Sequence, residues 1–202
     1  MPTQTFLNLP AEKRERVLNA AIDEFSQRNV EEANISNIVR GAGIPRGSLY
    51  QYFDGKDDLY VYVFETLREK RSQHVQPAYR YYRTHSFLTF FQHFYLLDTE
   101  FLLRHPSHIE LGKVMYSHAK GVSFGLIQAV QRRYRDTFLI ALSHDQDQGR
   151  VRAGVDVRAV ADLCVHFTTD VFIFQNFMYR MSVSAVETHL KATIDVIRHG
   201  IE

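Results

Sequence analysis

The chain has 202 residues, 45% of them hydrophobic, a formal net charge of +1 and a single cysteine. That length is enough to bury a core in one or two domains, and the near-neutral charge excludes a uniformly basic nucleic-acid binder, leaving only a local patch for such a role. Cys164 cannot form an internal disulfide and Met1 to Arg16 holds no continuous apolar stretch of secretory type, so a cytoplasmic protein is expected.

Periodicity is helical nearly throughout, with no alternating strand pattern, repeat or low-complexity segment. Pro10 opens an amphipathic helix whose Val17, Leu18, Ala21, Ile22 and Phe25 can pack on two shorter helices. The first of these follows Asn34, whose side-chain oxygen suits an N-cap, and it buries Ile35, Ile38, Val39 and Ala42. Gly43 closes it in the left-handed conformation and Pro45 suits the start of the next. In that next helix Leu49 and Phe53, four apart, anchor inward. Asp57 or Asp58 opens a longer helix running to about Gln76, where Pro77 interrupts it.

Ser86 to Leu103 is a very apolar helix stopped at Pro106. Ser107 to His118 and Val122 to Leu142 follow, separated by Gly121, and Asp145 to Val155 is a polar loop. Val157 to Met181 and Ala185 to Arg198 are the last two helices, the second opened by the capping box Ser184-Ala-Val-Glu187. Phe87 to Leu103 and Leu163 to Met181 approach the length of a membrane span. They carry internal acids, each costing about 2.5 to 3.5 kcal/mol at the bilayer centre, so burial in a bundle is expected and no membrane partner.

The two short helices set out chemistry for a DNA groove. Arg46, Gly47, Ser48 and Gln51 are the candidate base readers, with Arg46 suited to a guanine edge or equally to a phosphate. Tyr50, Tyr52 and Lys56 are candidate phosphate contacts, against the alternative that the two phenols pack on the head. Ser36 and Asn37 are placed to touch backbone or base, or simply to be solvated. Asp54 is an opposing charge.

The segment closely resembles the helix-turn-helix of the TetR family of transcription regulators: Ile38 to Gly43, then Gly47-Ser-Leu-Tyr50-Gln-Tyr-Phe53, then Lys56-Asp-Asp-Leu59. Gly149-Arg-Val-Arg152 followed by Asp156 also fits that family. The resemblance implies an all-α fold, with a three-helix head at 1–56 and a larger effector-binding and dimerisation domain at 57–202. It further implies a homodimer whose last two helices form a four-helix interface and whose middle helices enclose an effector pocket. The function implied is a ligand-responsive regulator, a repressor bound to a palindromic double-stranded operator. The rival class is a helical lipid-binding or interaction protein without specific DNA binding.

Leu190, Ile194 and Ile197 form one stripe, suited to a partner helix or to the chain's own core. Phe90, Phe94, Phe101, Phe124 and Phe167, with His118, His166 and Gln175, either fill a core or line a pocket for a small hydrophobic effector with one polar end. His105 and His108 are three apart with Pro106 between them, and no four-ligand set is legible, so neither metal nor cofactor is expected. Cys164, among Leu163, Val165 and Phe167, is a small core residue by preference to a nucleophile. With no Ser/His/Asp motif, phosphate loop or paired acids, an enzyme is not expected.

Overall fold

The computed structural model describes residues 1–82, 84–171 and 183–201, and within them every regular element is helical. In chain order these are α1 (Gln4–Leu7), α2 (Ala11–Phe25), α3 (Ile35–Ala42), α4 (Arg46–Tyr52), α5 (Lys56–Val75), a 3-10 turn (Gln76–Arg80), α6 (Phe87–Arg104), α7 (Pro106–Ser117), α8 (Gly121–Asp147), α9 (Val157–His166), a π turn (Phe167–Val171) and α10 (Val183–Ile201). The expected continuation of α9 to Met181 runs into residues 172–182, outside the described part. The expected cap Ser184 lies inside α10, where its carbonyl accepts the Thr188 hydroxyl at 2.8 Å.

The chain forms two compact units, residues 1–70 with 105–127 and residues 71–104 with 128–202. A boundary at 56/57 is therefore not where the packing divides. The reason is apolar: Leu59, Tyr60, Val63 and Leu67 of α5 and Leu111 of α7 are buried in one core with Val17, Ala21, Phe25, Ile38, Ala42 and Leu49 of the three-helix head. Tyr60 meets Phe25 edge to face at 4.9 Å and accepts a hydrogen bond from Ser123 at 3.2 Å. Lys120 pairs with Glu31 at 2.7 Å.

The second unit is built on α6, whose Phe87, Phe90, Phe91, Phe94 and Tyr95 are all buried with Phe138 of α8. Asp98, also buried on α6, forms an ion pair with Arg71. Burial and then the nearby Asp98 charge push the Tyr95 phenol well above its ordinary pKa. The loop after α8 turns at Gly149, whose φ of 71° is one that L side chains rarely adopt. Buried Asp145 accepts the Phe87 N–H at 2.6 Å, satisfying a donor at the start of α6, and binds the Arg150 guanidinium at 2.8 Å. Arg152 reaches the end of α10, its N–H donating to Ile201 O at 2.9 Å and its guanidinium to Gly200 O. No described helix is long and apolar enough to cross a membrane.

Candidate nucleic-acid interface

The turn between α3 and α4 forms as its residue types require. Asn34 caps α3 by accepting the Ser36 N–H at 2.8 Å, and Gly43 ends it at φ 63°, its N–H and that of Ile44 closing on the carbonyls of Arg40 and Val39. Pro45 then sets an extended entry to α4. Beneath the turn Glu24 of α2 is 5% exposed, and its carboxylate accepts the Asn34 N–H at 2.7 Å, the Asn37 amide at 3.0 Å and Arg28 at 3.2 Å. Burial pushes its pKa up. The bonds from Asn34 and Asn37 and the Arg28 charge more than offset that and hold it below the ordinary carboxylate value.

α4 divides cleanly into an inner and an outer face. Leu49 is buried and so is Phe53, just beyond the helix, whereas Arg46, Gly47, Tyr50 and Gln51 are exposed and Ser48 is half-buried. Arg46 donates to the Ser36 hydroxyl of α3 at 3.2 Å, so the two exposed polar side chains from the two helices meet. A Cβ built at Gly47 would meet nothing within 4 Å, so the fold itself does not require glycine there.

Three expected contacts have other occupations. Tyr52 is 3% exposed and packs on Phe6 with ring centroids 5.6 Å apart, because it lies three residues after Leu49 on the inner face of a short helix. Asn37 has both ends of its amide engaged, donating to Glu24 and accepting from Arg40 at 3.0 Å. Lys56 donates to Glu31 O at 2.6 Å and Ala33 O at 3.1 Å, which clamps the chain entering α3. Sequence reasoning missed α1 altogether, since Thr3, Phe6 and Leu9 show no period long enough to read.

Residues 17–63 match the family model for bacterial regulatory proteins, tetR family. That segment, which holds the helix-turn-helix, is similar to the DNA-binding region of the TetR family. A curated relative, the HTH-type transcriptional regulator YvdT of Bacillus subtilis, itself uncharacterized, is 39% identical over 67 residues, 33% of this chain and 32% of that protein. The match thus spans about a third of the relative's length. Among solved structures the fold is similar to a TetR family transcriptional regulator from Chloroflexus aurantiacus, with a TM-score of 0.72 at 22% identity over 100% of this chain and 98% of that one. It is similar also to FadR of Bacillus subtilis in complex with stearoyl-CoA, with a TM-score of 0.74 at 15% identity over 93% and 99% of the two chains. At those identities the likeness is one of fold.

Outside the three-helix head, the residues expected to line a pocket do not come together as a set. Phe90, Phe94, Phe101 and Phe167 are buried in the second unit, with Phe90 and Phe94 at 6.0 Å, Phe94 and Tyr134 at 5.4 Å, and Tyr95 and Phe167 at 5.1 Å, a packed aromatic core. His166 is exposed on α9. His118 and Phe124 are exposed and belong to the other unit, and Gln175 lies outside the described residues. A cleft of about 430 Å³ instead runs between α6 and α10, walled by Leu96, Leu97, Leu103 and Val186 and carrying the charges of Glu100, Arg104 and Glu187.

The interface stripe is corrected in the same way. Leu190 and Ile194 are 1% and 5% exposed within a single chain, on a helix that packs against α6, and Ile197 is half-buried. The outward positions of α10 are Ala192 and Val196, the latter 74% exposed, and Leu163 of α9 is 63% exposed. Among the described residues no three His, Cys, Asp or Glu side chains are grouped to hold a metal ion.

Proposed function

We propose that this protein is a transcription regulator that binds a palindromic operator as a homodimer, represses from it, and is released by a largely apolar small molecule. The observation that carries the proposal is the outer face of α4, where Arg46, Tyr50 and Gln51 are exposed beside Ser36 while Leu49 and Phe53 hold the helix from within. A guanidinium, a phenol, an amide and a hydroxyl on one short helix after a tight turn can address both phosphates and base edges. One seven-residue helix makes too few contacts for tight specific binding. Two copies related by a dyad would read half-sites about 34 to 36 Å apart. The exposed apolar Val196 and Leu163 support a partner subunit on the last helices. Action on an operator would place the protein in the cytoplasm.

The effector class rests on the apolar walls of the α6–α10 cleft, and on the shared fold of a FadR solved with stearoyl-CoA. Burying an acyl chain gains about 0.8 kcal/mol per methylene, and a pocket that differs between two head arrangements would convert that gain into release of DNA, with DNA weakening the effector in return. The test is selection of a duplex from a randomised pool with the full-length protein, followed by titration of the complex with a long-chain fatty acyl-CoA. A palindromic consensus and release by the acyl compound, with sugars and metal ions inert, are the expected results. Arg46→Ala should cost about 1 to 3 kcal/mol at one position of each half-site. Recovery of no duplex above non-specific levels would favour the helical lipid-binding reading.

A further inference from the structure

The recognition helix is finished by residues from outside the helix-turn-helix. α4 has only seven residues, Arg46 to Tyr52, and a helix that short is not stable by itself in water. Its last carbonyls have no partner within the helix. Thr3 supplies two: its backbone N–H donates to Tyr52 O at 2.9 Å and its hydroxyl donates to Gln51 O at 2.7 Å. The same hydroxyl oxygen accepts the Phe6 N–H at 3.4 Å and so caps α1.

Three residues on, Phe6 is completely buried, its ring 4.7 Å from Phe53, 5.6 Å from Tyr52 and 5.3 Å from Tyr62. The segment is in turn tied to α2 by Arg14, whose guanidinium donates to Leu7 O at 2.8 Å and Leu9 O at 2.6 Å. Thr3 and Phe6 lie ahead of the segment that carries the family match, so the helix-turn-helix pattern itself gives no account of them.

We propose that Thr3 and Phe6 are positioning residues for operator recognition: they brace the C-terminal turn of α4 and thereby fix where Tyr50 and Gln51 point, without touching DNA themselves. The reasoning rests on the DNA-binding reading only for its consequence. The brace itself is a property of the free protein. Its worth is greatest where the helix is least able to hold its own register, the last turn, which carries the exposed amide of Gln51.

The experiment uses the full chain and Thr3→Val, which keeps the shape and the backbone N–H but removes the hydroxyl, with Thr3→Ser as the conservative variant. Amide hydrogen exchange is followed at Tyr52 and Phe53 and, for reference, at Val17 to Phe25 of α2. Affinity is measured for a duplex selected by the wild-type protein and for an unrelated duplex. Loss of one net hydrogen bond should speed exchange at the end of α4 about fivefold and weaken the selected duplex by a similar factor. α2 exchange and affinity for the unrelated duplex should be unchanged, and Thr3→Ser should restore both readouts. Unchanged exchange at α4 overturns the proposal, as does equal acceleration across α2 and α4, which would make Thr3 an ordinary stabilising residue. If exchange at α4 responds to Thr3 while wild type selects no duplex, the DNA-binding reading fails and the brace stands.

Discussion

Replacing Glu24 by Gln is the sharpest probe of what holds the helix-turn-helix together. The carboxylate is 5% exposed and accepts from Asn34 N–H at 2.7 Å, Asn37 Nδ2 at 3.0 Å and Arg28 at 3.2 Å. An amide keeps one acceptor and turns an NH2 toward a group that itself donates, so at least one hydrogen bond to a charged acceptor is lost, worth about 1.5 to 3 kcal/mol. The Arg28 pair adds less than about 1 kcal/mol, because the guanidinium is exposed and screened. The total is about 1.5 to 4 kcal/mol. It should appear in urea unfolding as a lower midpoint at unchanged slope. The pH dependence has a definite sign. The carboxylate is held below its ordinary value of 4.5, so its contribution is full above about pH 4.5 and is lost as pH falls through the lower folded value. Wild type and Glu24→Gln should therefore converge in acid. A difference under about 0.5 kcal/mol at neutral pH would refute the assignment of Glu24 as the organiser of the α3 start.

Lys56→Met should weaken operator binding by loosening the entry to α3 while leaving the salt slope of binding unchanged; a slope reduced by about one unit would return Lys56 to a phosphate. Val196→Asp should give monomers by sedimentation with helical content intact, because that side chain is exposed. Ile194→Asp should instead unfold the second unit at lower temperature, since it places a carboxylate in a core. A folded monomer from Ile194→Asp, or an undisturbed dimer from Val196→Asp, would reverse the assignment. Cys164 is fully buried and burial pushes its thiol up to about 12, so a thiol reagent at neutral pH should label it only after unfolding, as followed by mass spectrometry.

Local chemistry in the head was legible because it is local. Asn34 as cap, Gly43 as left-handed terminator and Leu49 with Phe53 as inward anchors each depend on a few neighbouring residues, and all stand as read. What was not legible depends on a third element. Lys56 reads as a free cation in sequence, but the carbonyls that hold it come from residues 31 and 33. Tyr52 turns inward because Phe6, from an unread four-residue helix, offers it a ring. On α10, apolar residues lie on neighbouring stripes around the helix, and periodicity cannot say which of them is buried within the subunit. Leu190 and Ile194 went to α6. The apolar middle helices were read correctly as interior, but a packed aromatic core and a cavity wall have the same composition.

The Gly149 to Arg152 stretch joins three helices that are far apart in sequence: the end of α8, the first N–H of α6 through Asp145, and the last turn of α10. Such a fastener frees the surrounding side chains to drift, because the helix ends stay registered however the aromatic interior is repacked.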